Sequence, residues 1–174
     1  MTRPTVIYFG PDAKPKRGTA LPKIYVRALL FATSKRGRII ESMFVKLSRN
    51  ETHQNFNIWV YGEQRLVRGS GLFVGDSGVS LNHHFLTPDD ENRFYFASGS
   101  YRLEVFVHLL GDSVPKQVFA QVLEITPAEA ETLKEPDTGL YFDWGPDSLR
   151  YLPHIEKRPP SPDSLLDLFH HLAE

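Results

Sequence analysis

Two adjacent histidines, His83 and His84, and the oxygen-bearing side chains Asp76, Asp89, Asp90, Glu91, Asn92 and Asp112 are the residues of this chain best suited by type to hold a metal. Their spacing opposes that use. Neighbouring residues on a strand project to opposite faces, so the two imidazoles reach one ion only through a bulge. The acidic run lacks the order of an EF-hand loop and reads as an exposed turn. The chain has no cysteine, which removes thiolate metal sites, disulfides and a cysteine nucleophile. It also has no G-x-S-x-G, no H-E-x-x-H and no P-loop. Gly69-Ser70-Gly71 through Gly75 precedes a strand pattern rather than a helix, the wrong context for cradling phosphate. Asp143 and Asp147 flank Trp144, but Gly145-Pro146 between them reads as a turn. The expectation is no cofactor, no metal and, on balance, no enzyme.

Binding chemistry is better represented. Asn55, Asn57, Trp59 and Tyr61 alternate with Phe56, Ile58 and Val60, which on one continuous strand places the amides and aromatic rings on a single face. Asn57, Trp59 and Tyr61 would form a stacking platform for sugars or bases, with Lys46, Arg65 and Arg68 placed for phosphate; the alternative is that Trp59 packs in the core, where a sandwich usually holds its tryptophan. The basic clusters Lys14, Lys16, Arg17 and Lys35-Arg36-Gly37-Arg38 lie in the same half. The net charge of -1 conceals this asymmetry: residues 1–87 hold 13 Lys/Arg and 5 Asp/Glu, residues 88–174 hold 7 and 16. Separate halves would make the first a nucleic-acid binder. Strands of the two halves interleaved in common sheets would neutralise each other, and the lack of a mid-chain linker favours that arrangement.

The tail is different in kind. Lys157-Arg158-Pro159-Pro160-Ser161-Pro162 is a stiff connector that cannot continue a sheet. Beyond it, Leu165, Leu168, Phe169 and Leu172 fall at helical spacing, with Leu166 beside them, after a Ser161 cap and Pro162. A helix this short needs a surface to lie on. Leu165-Leu166-Asp167-Leu168-Phe169 is similar to the peptide by which bacterial proteins engage the replication sliding clamp, with Leu165 where that motif has glutamine. It also resembles the clathrin-binding box, with Phe169 replacing the closing acidic residue. Either resemblance implies a protein partner for these five apolar residues, Leu165, Leu166, Leu168, Phe169 and Leu172; packing on the domain or across a homodimer is the alternative.

The elements that must carry these residues are strands. Tyr101 to Leu109 alternates strictly, apolar at odd positions and including Arg102, Glu104 and His108 at even ones. Phe94-Tyr95-Phe96 reads as its hairpin partner across Ala97 to Ser100. Ile24 to Thr33 is apolar on both faces apart from Arg27 and suits a central strand covered on both sides. Met43 to Leu47, Phe56 to Tyr61, a short Arg65 to Arg68, Val79 to Thr87, Gln117 to Ile125, Leu140 to Trp144 and Leu149 to Ile155 complete the set. Thr126-Pro127 with the residues to Leu133 predicts one or two helical turns. The fold class expected is all-β, a single antiparallel sandwich of immunoglobulin-like or C2-like topology over 1–156, with the proline linker and amphipathic helix at 157–174. No apolar run approaches the ~20 residues of a membrane helix, and Met-Thr-Arg-Pro-Thr opens no signal peptide, so a cytoplasmic protein without a membrane role is expected. The function expected is a non-enzymatic protein-binding or adaptor module, with nucleic-acid binding, or a carbohydrate-binding or hydrolytic sandwich, as the rivals.

Overall fold

The computed structural model describes residues 1–12, 20–63, 65–88 and 94–158. Twelve strands and one short helix follow in chain order: β1 Val6–Pro11, β2 Pro22–Leu30, β3 Arg38–Arg49, β4 Thr52–Phe56, β5 Ile58–Gly62, β6 Val67–Arg68, β7 Leu72–Val74, β8 Val79–Leu86, β9 Gly99–Leu109, β10 Lys116–Ile125, α1 Pro127–Thr132, β11 Thr138–Gly145 and β12 Arg150–Lys157. They form two antiparallel sheets. One has seven strands in the order β12-β11-β1-β2-β8-β5-β6; the other runs β10-β9-β3-β4, with β7 also pairing β3. Among the described residues no helix is long and apolar enough to cross a membrane.

Side-chain alternation builds the interior. Ile7 and Phe9 of β1, Ile24 and Val26 of β2, Phe85 of β8 and Leu140 and Phe142 of β11 belong to the same core as Val45 and Leu47 of β3, Leu103, Val105 and Val107 of β9 and Leu123 of β10. Each fully buried aliphatic or aromatic residue contributes about 1.5–3 kcal/mol relative to exposure. Strands of the two chain halves do alternate. β1 lies between β2 and β11, and β3 pairs with β9, with Lys46 directly opposite Glu104.

Two expectations need correction, and two strands are new. Phe94 to Phe96 is not a strand, because β9 already has β3 on one edge and β10 on the other. The two rings instead close one end of the core, Phe96 stacking 5.1 Å from Phe9 and Phe94 standing edge-on 5.5 Å from Phe56. Tyr101, at the start of β9, donates its hydroxyl proton to the Ala97 carbonyl at 2.8 Å and ties the same connection down. The second strand ends at Leu30 and is not covered on both sides, since Tyr25 and Leu29 are only half-buried on its outer face, beside exposed Arg27. β1 and β7 were not anticipated from the sequence; Val6–Pro11 is too short to show a period and gains its place by pairing on both edges. The small helix is as expected, with a reciprocal capping box between Thr126 and Glu129 and proline in its first turn.

Candidate functional site

The expected platform on the segment 55–61 does not reach the surface as a unit. The chain changes sheets at Asn57, leaving β4 for β5, so the alternation is broken and Phe56 and Trp59 both enter the core. Trp59 is 2% exposed. Its indole N–H donates to His83 Nδ1 at 3.2 Å, and its ring lies 4.8 Å from that of Tyr61, whose hydroxyl donates to the Gly71 carbonyl at 3.1 Å. Gly69 backs onto the indole so closely that a Cβ there would overlap it. Asn57, Arg65 and Arg68 are exposed, without the indole between them.

The two histidines point to opposite faces, as strand geometry requires. His83 is fully buried, and burial pushes its pKa down to about 4. Because Nδ1 accepts from Trp59, the proton of the neutral ring sits on Nε2, which has no partner. His84 faces outward, yet burial and the Lys23 charge also bring it to about 4. Among the described residues no three His, Cys, Asp or Glu side chains group to hold a metal. In the basic cluster, Arg38 is bound by Asp112 at 2.9 Å, and Asp112 also takes Lys116 at 2.6 Å. Lys116 and Arg38 together hold the Asp112 carboxyl below its ordinary range. Lys14, Lys16, Arg17, the run 89–92 and the tail residues Leu165, Leu166, Leu168, Phe169 and Leu172 lie outside the described residues.

What the fold does assemble is an aromatic row across the outer face of the seven-stranded sheet. Register places His154 opposite Tyr141, Tyr141 opposite Tyr8, Tyr8 opposite Tyr25, and Tyr25 opposite His84. His154 stacks on Tyr141 at 5.4 Å, Tyr141 lies 4.8 Å from Tyr8, and Tyr25 lies 5.0 Å from His84. Gly10 and Gly139 are the floor beneath Tyr8, for a Cβ at either would strike its ring. Tyr8 is thereby laid flat, 4% exposed, with its hydroxyl donating to the Pro11 carbonyl at 3.0 Å. Burial raises its pKa to about 12 and also raises those of Tyr25 and Tyr141, so all three phenols are neutral donors at pH 7. Polar groups frame the row. Tyr25 donates to Asn82 Oδ1 at 3.0 Å, Lys23 pairs with Asp12 at 3.1 Å, and His154 stands between Asp143 at 3.1 Å and Glu156 at 3.2 Å. Burial lowers the Lys23 pKa despite the Asp12 charge.

Sequence reasoning missed this row because its five residues come from five strands, and only the pairing register aligns them. The one local signal was parity: Tyr25 and His84 each occupy the outward position of an alternating segment. The hydroxyl protons of Tyr8 and Tyr25 are already donated within the chain and Tyr8 is buried, so what the row leaves to the surface is the half-buried rings of Tyr25, His84, Tyr141 and His154 with a flanking set of both charges. Comparison with known protein families, with curated proteins and with solved structures finds no match.

Proposed function

We propose that this protein is a non-enzymatic protein-binding module with an immunoglobulin-like sandwich, in which the outer face of the seven-stranded sheet receives a partner. Two features support the topology. The strand orders β1-β2-β8-β5 and β10-β9-β3-β4 follow the A-B-E-D and G-F-C-C′ orders of immunoglobulin sandwiches, with the β11–β12 hairpin added beyond the first strand. The Tyr101 hydroxyl bond to Ala97, at the entry to strand F of that scheme, resembles the tyrosine corner of those domains. Such a likeness of architecture carries no function by itself.

The row of Tyr and His rings is the single observation that carries the reading. Tyrosine gives large contact area at small entropic cost and is enriched where proteins meet. A photo-crosslinking amino acid at His154, in the full chain expressed in its source cells, tests it. A discrete protein adduct is expected that is lost when Tyr25 and Tyr141 become Ala and that does not form from the same group at exposed Asn55. Retardation of the purified protein by polysaccharide in native gels, without an adduct, would assign the rings to sugars instead. The adaptor role expected of the tail is a separate part of the proposal: Leu168→Ala with Phe169→Ala should change partner capture or oligomeric mass, and no change in either removes the tail from it.

A further inference from the structure

The sheets end in strands that differ in how their free edges are closed. β6 has two residues, β7 three and β4 five, and β12 carries Pro153, which removes a donor. β10 is unlike them. Its Lys116 end is blunted by charge and by a bulge between Gln117 and Phe119, but Phe119 to Ile125 runs in unbroken register with β9 on one side and, among the described residues, has no strand on the other. This stretch contains no proline and no lysine, and Val122 on it is half exposed.

Beside that edge a cleft of about 280 Å³ opens toward the β11–β12 hairpin, lined by Val122, Leu123, Trp144, Leu149 and Tyr151 and flanked by Arg3 and Arg150. The Arg3 guanidinium lies 4.1 Å over the Trp144 ring and donates to Gln121 Oε1 at 3.1 Å. Neither arginine forms an ion pair among the described residues, and Glu124 is the one carboxylate in the lining. Leu149 adds an independent anomaly. It is 74% exposed and holds φ 52, a left-handed conformation that costs a branched residue energy, while its side chain gains no burial in return.

We propose that β10 and this cleft bind an extended acidic peptide segment of a partner protein, which pairs with Phe119 to Ile125 as an added strand. Main-chain hydrogen bonds supply the pairing, Arg3 and Arg150 take the peptide's carboxylates, and an apolar side chain covers Leu149 and Trp144. Charge selects this occupant over a second copy of the chain, because β10 itself brings one carboxylate, Glu124, and one lysine. The surface lies apart from the aromatic row, so either can fail without the other.

The test uses the full chain and a fluorescein-labelled octapeptide of alternating glutamate and valine, with a lysine–valine octapeptide as control, read by anisotropy and by amide hydrogen exchange. The acidic peptide should bind at least about ten-fold more tightly than the basic one, and alternate amides from Phe119 to Ile125 should become protected. Arg3→Gln should weaken binding about ten-fold, the scale of one charged hydrogen bond. Arg150→Gln, at an exposed position, gives the same reading should Arg3→Gln disturb folding. Absence of binding, binding without the alternating protection, or protection that appears with protein concentration alone and marks a dimer would each overturn the proposal.

Discussion

The outer faces of the two sheets solve the same problem in opposite ways. On the five-stranded sheet, Lys46 lies opposite Glu104, Arg102 reaches Glu104 at 3.2 Å, His108 meets Glu41 at 3.4 Å, and Phe44 stacks on Phe106 at 4.9 Å, so charges and rings find partners on the face itself. On the seven-stranded sheet Tyr8 rests on a glycine floor, and while Tyr8, Tyr25, Lys23 and His154 have partners, His84 Nδ1 is buried without one. The glycines that let Tyr8 lie flat cost chain entropy, which burial of that ring must offset.

The largest expected effect is that of acid on the seven-stranded sheet, through His83 and His84 of β8. Folded pKa values near 4 for His83 and His84, against 6.5 for the free imidazole, mean that the unfolded chain binds more protons between those limits. Stability is therefore fully present above pH 6.5 and is lost as pH falls toward 4, by about 3 kcal/mol from buried His83 alone. Urea unfolding midpoints across this range should fall accordingly. In His84→Phe the share of the fall carried by His83 should persist; disappearance of the whole fall would place the sensitivity on the outer face rather than in the core. Next in size is the glycine floor. Gly139→Ala should cost about 1–3 kcal/mol, because the new methyl displaces the Tyr8 ring, and should also weaken any partner held by the row. Unchanged thermal stability in that variant would mean that Tyr8 does not need its floor.

The contrast also explains what the sequence could and could not disclose. Strands with strict alternation, such as Tyr101 to Leu109, were legible because one face is buried and the other solvated, and water sorts the residues. The charge asymmetry of the halves was correctly read as interleaving, since β1 and β2 pair beside β11. Of the two readings of Trp59, the core one holds and the platform fails, because alternation predicts a face only while the strand stays in one sheet, and the chain changes sheets at Asn57. The aromatic row was invisible for a related reason. Tyr8, Tyr25 and Tyr141 acquire a common position only through non-local register, which depends on the whole sheet.

The smaller effects belong to the five-stranded face. Phe106→Ala should cost about 1 kcal/mol beyond the lost burial, from the stacked pair with Phe44, yet leave an adduct formed at His154 untouched; loss of the adduct would break the division between the faces. Lys46→Glu is the mildest test. It sets two carboxylates directly opposite across β3 and β9, an arrangement that destabilises by about 0.2–1 kcal/mol. Arg102 already neutralises Glu104 from its own strand, which places the expected loss in the lower half of that range. Because the groups are near the surface, the penalty should shrink as salt is raised toward 1 M, where the screening length falls to about 3 Å. A penalty independent of salt would show that Lys46 acts through the packing of its aliphatic stem on this face, and the balance of charge would then have to be credited to apolar contact instead.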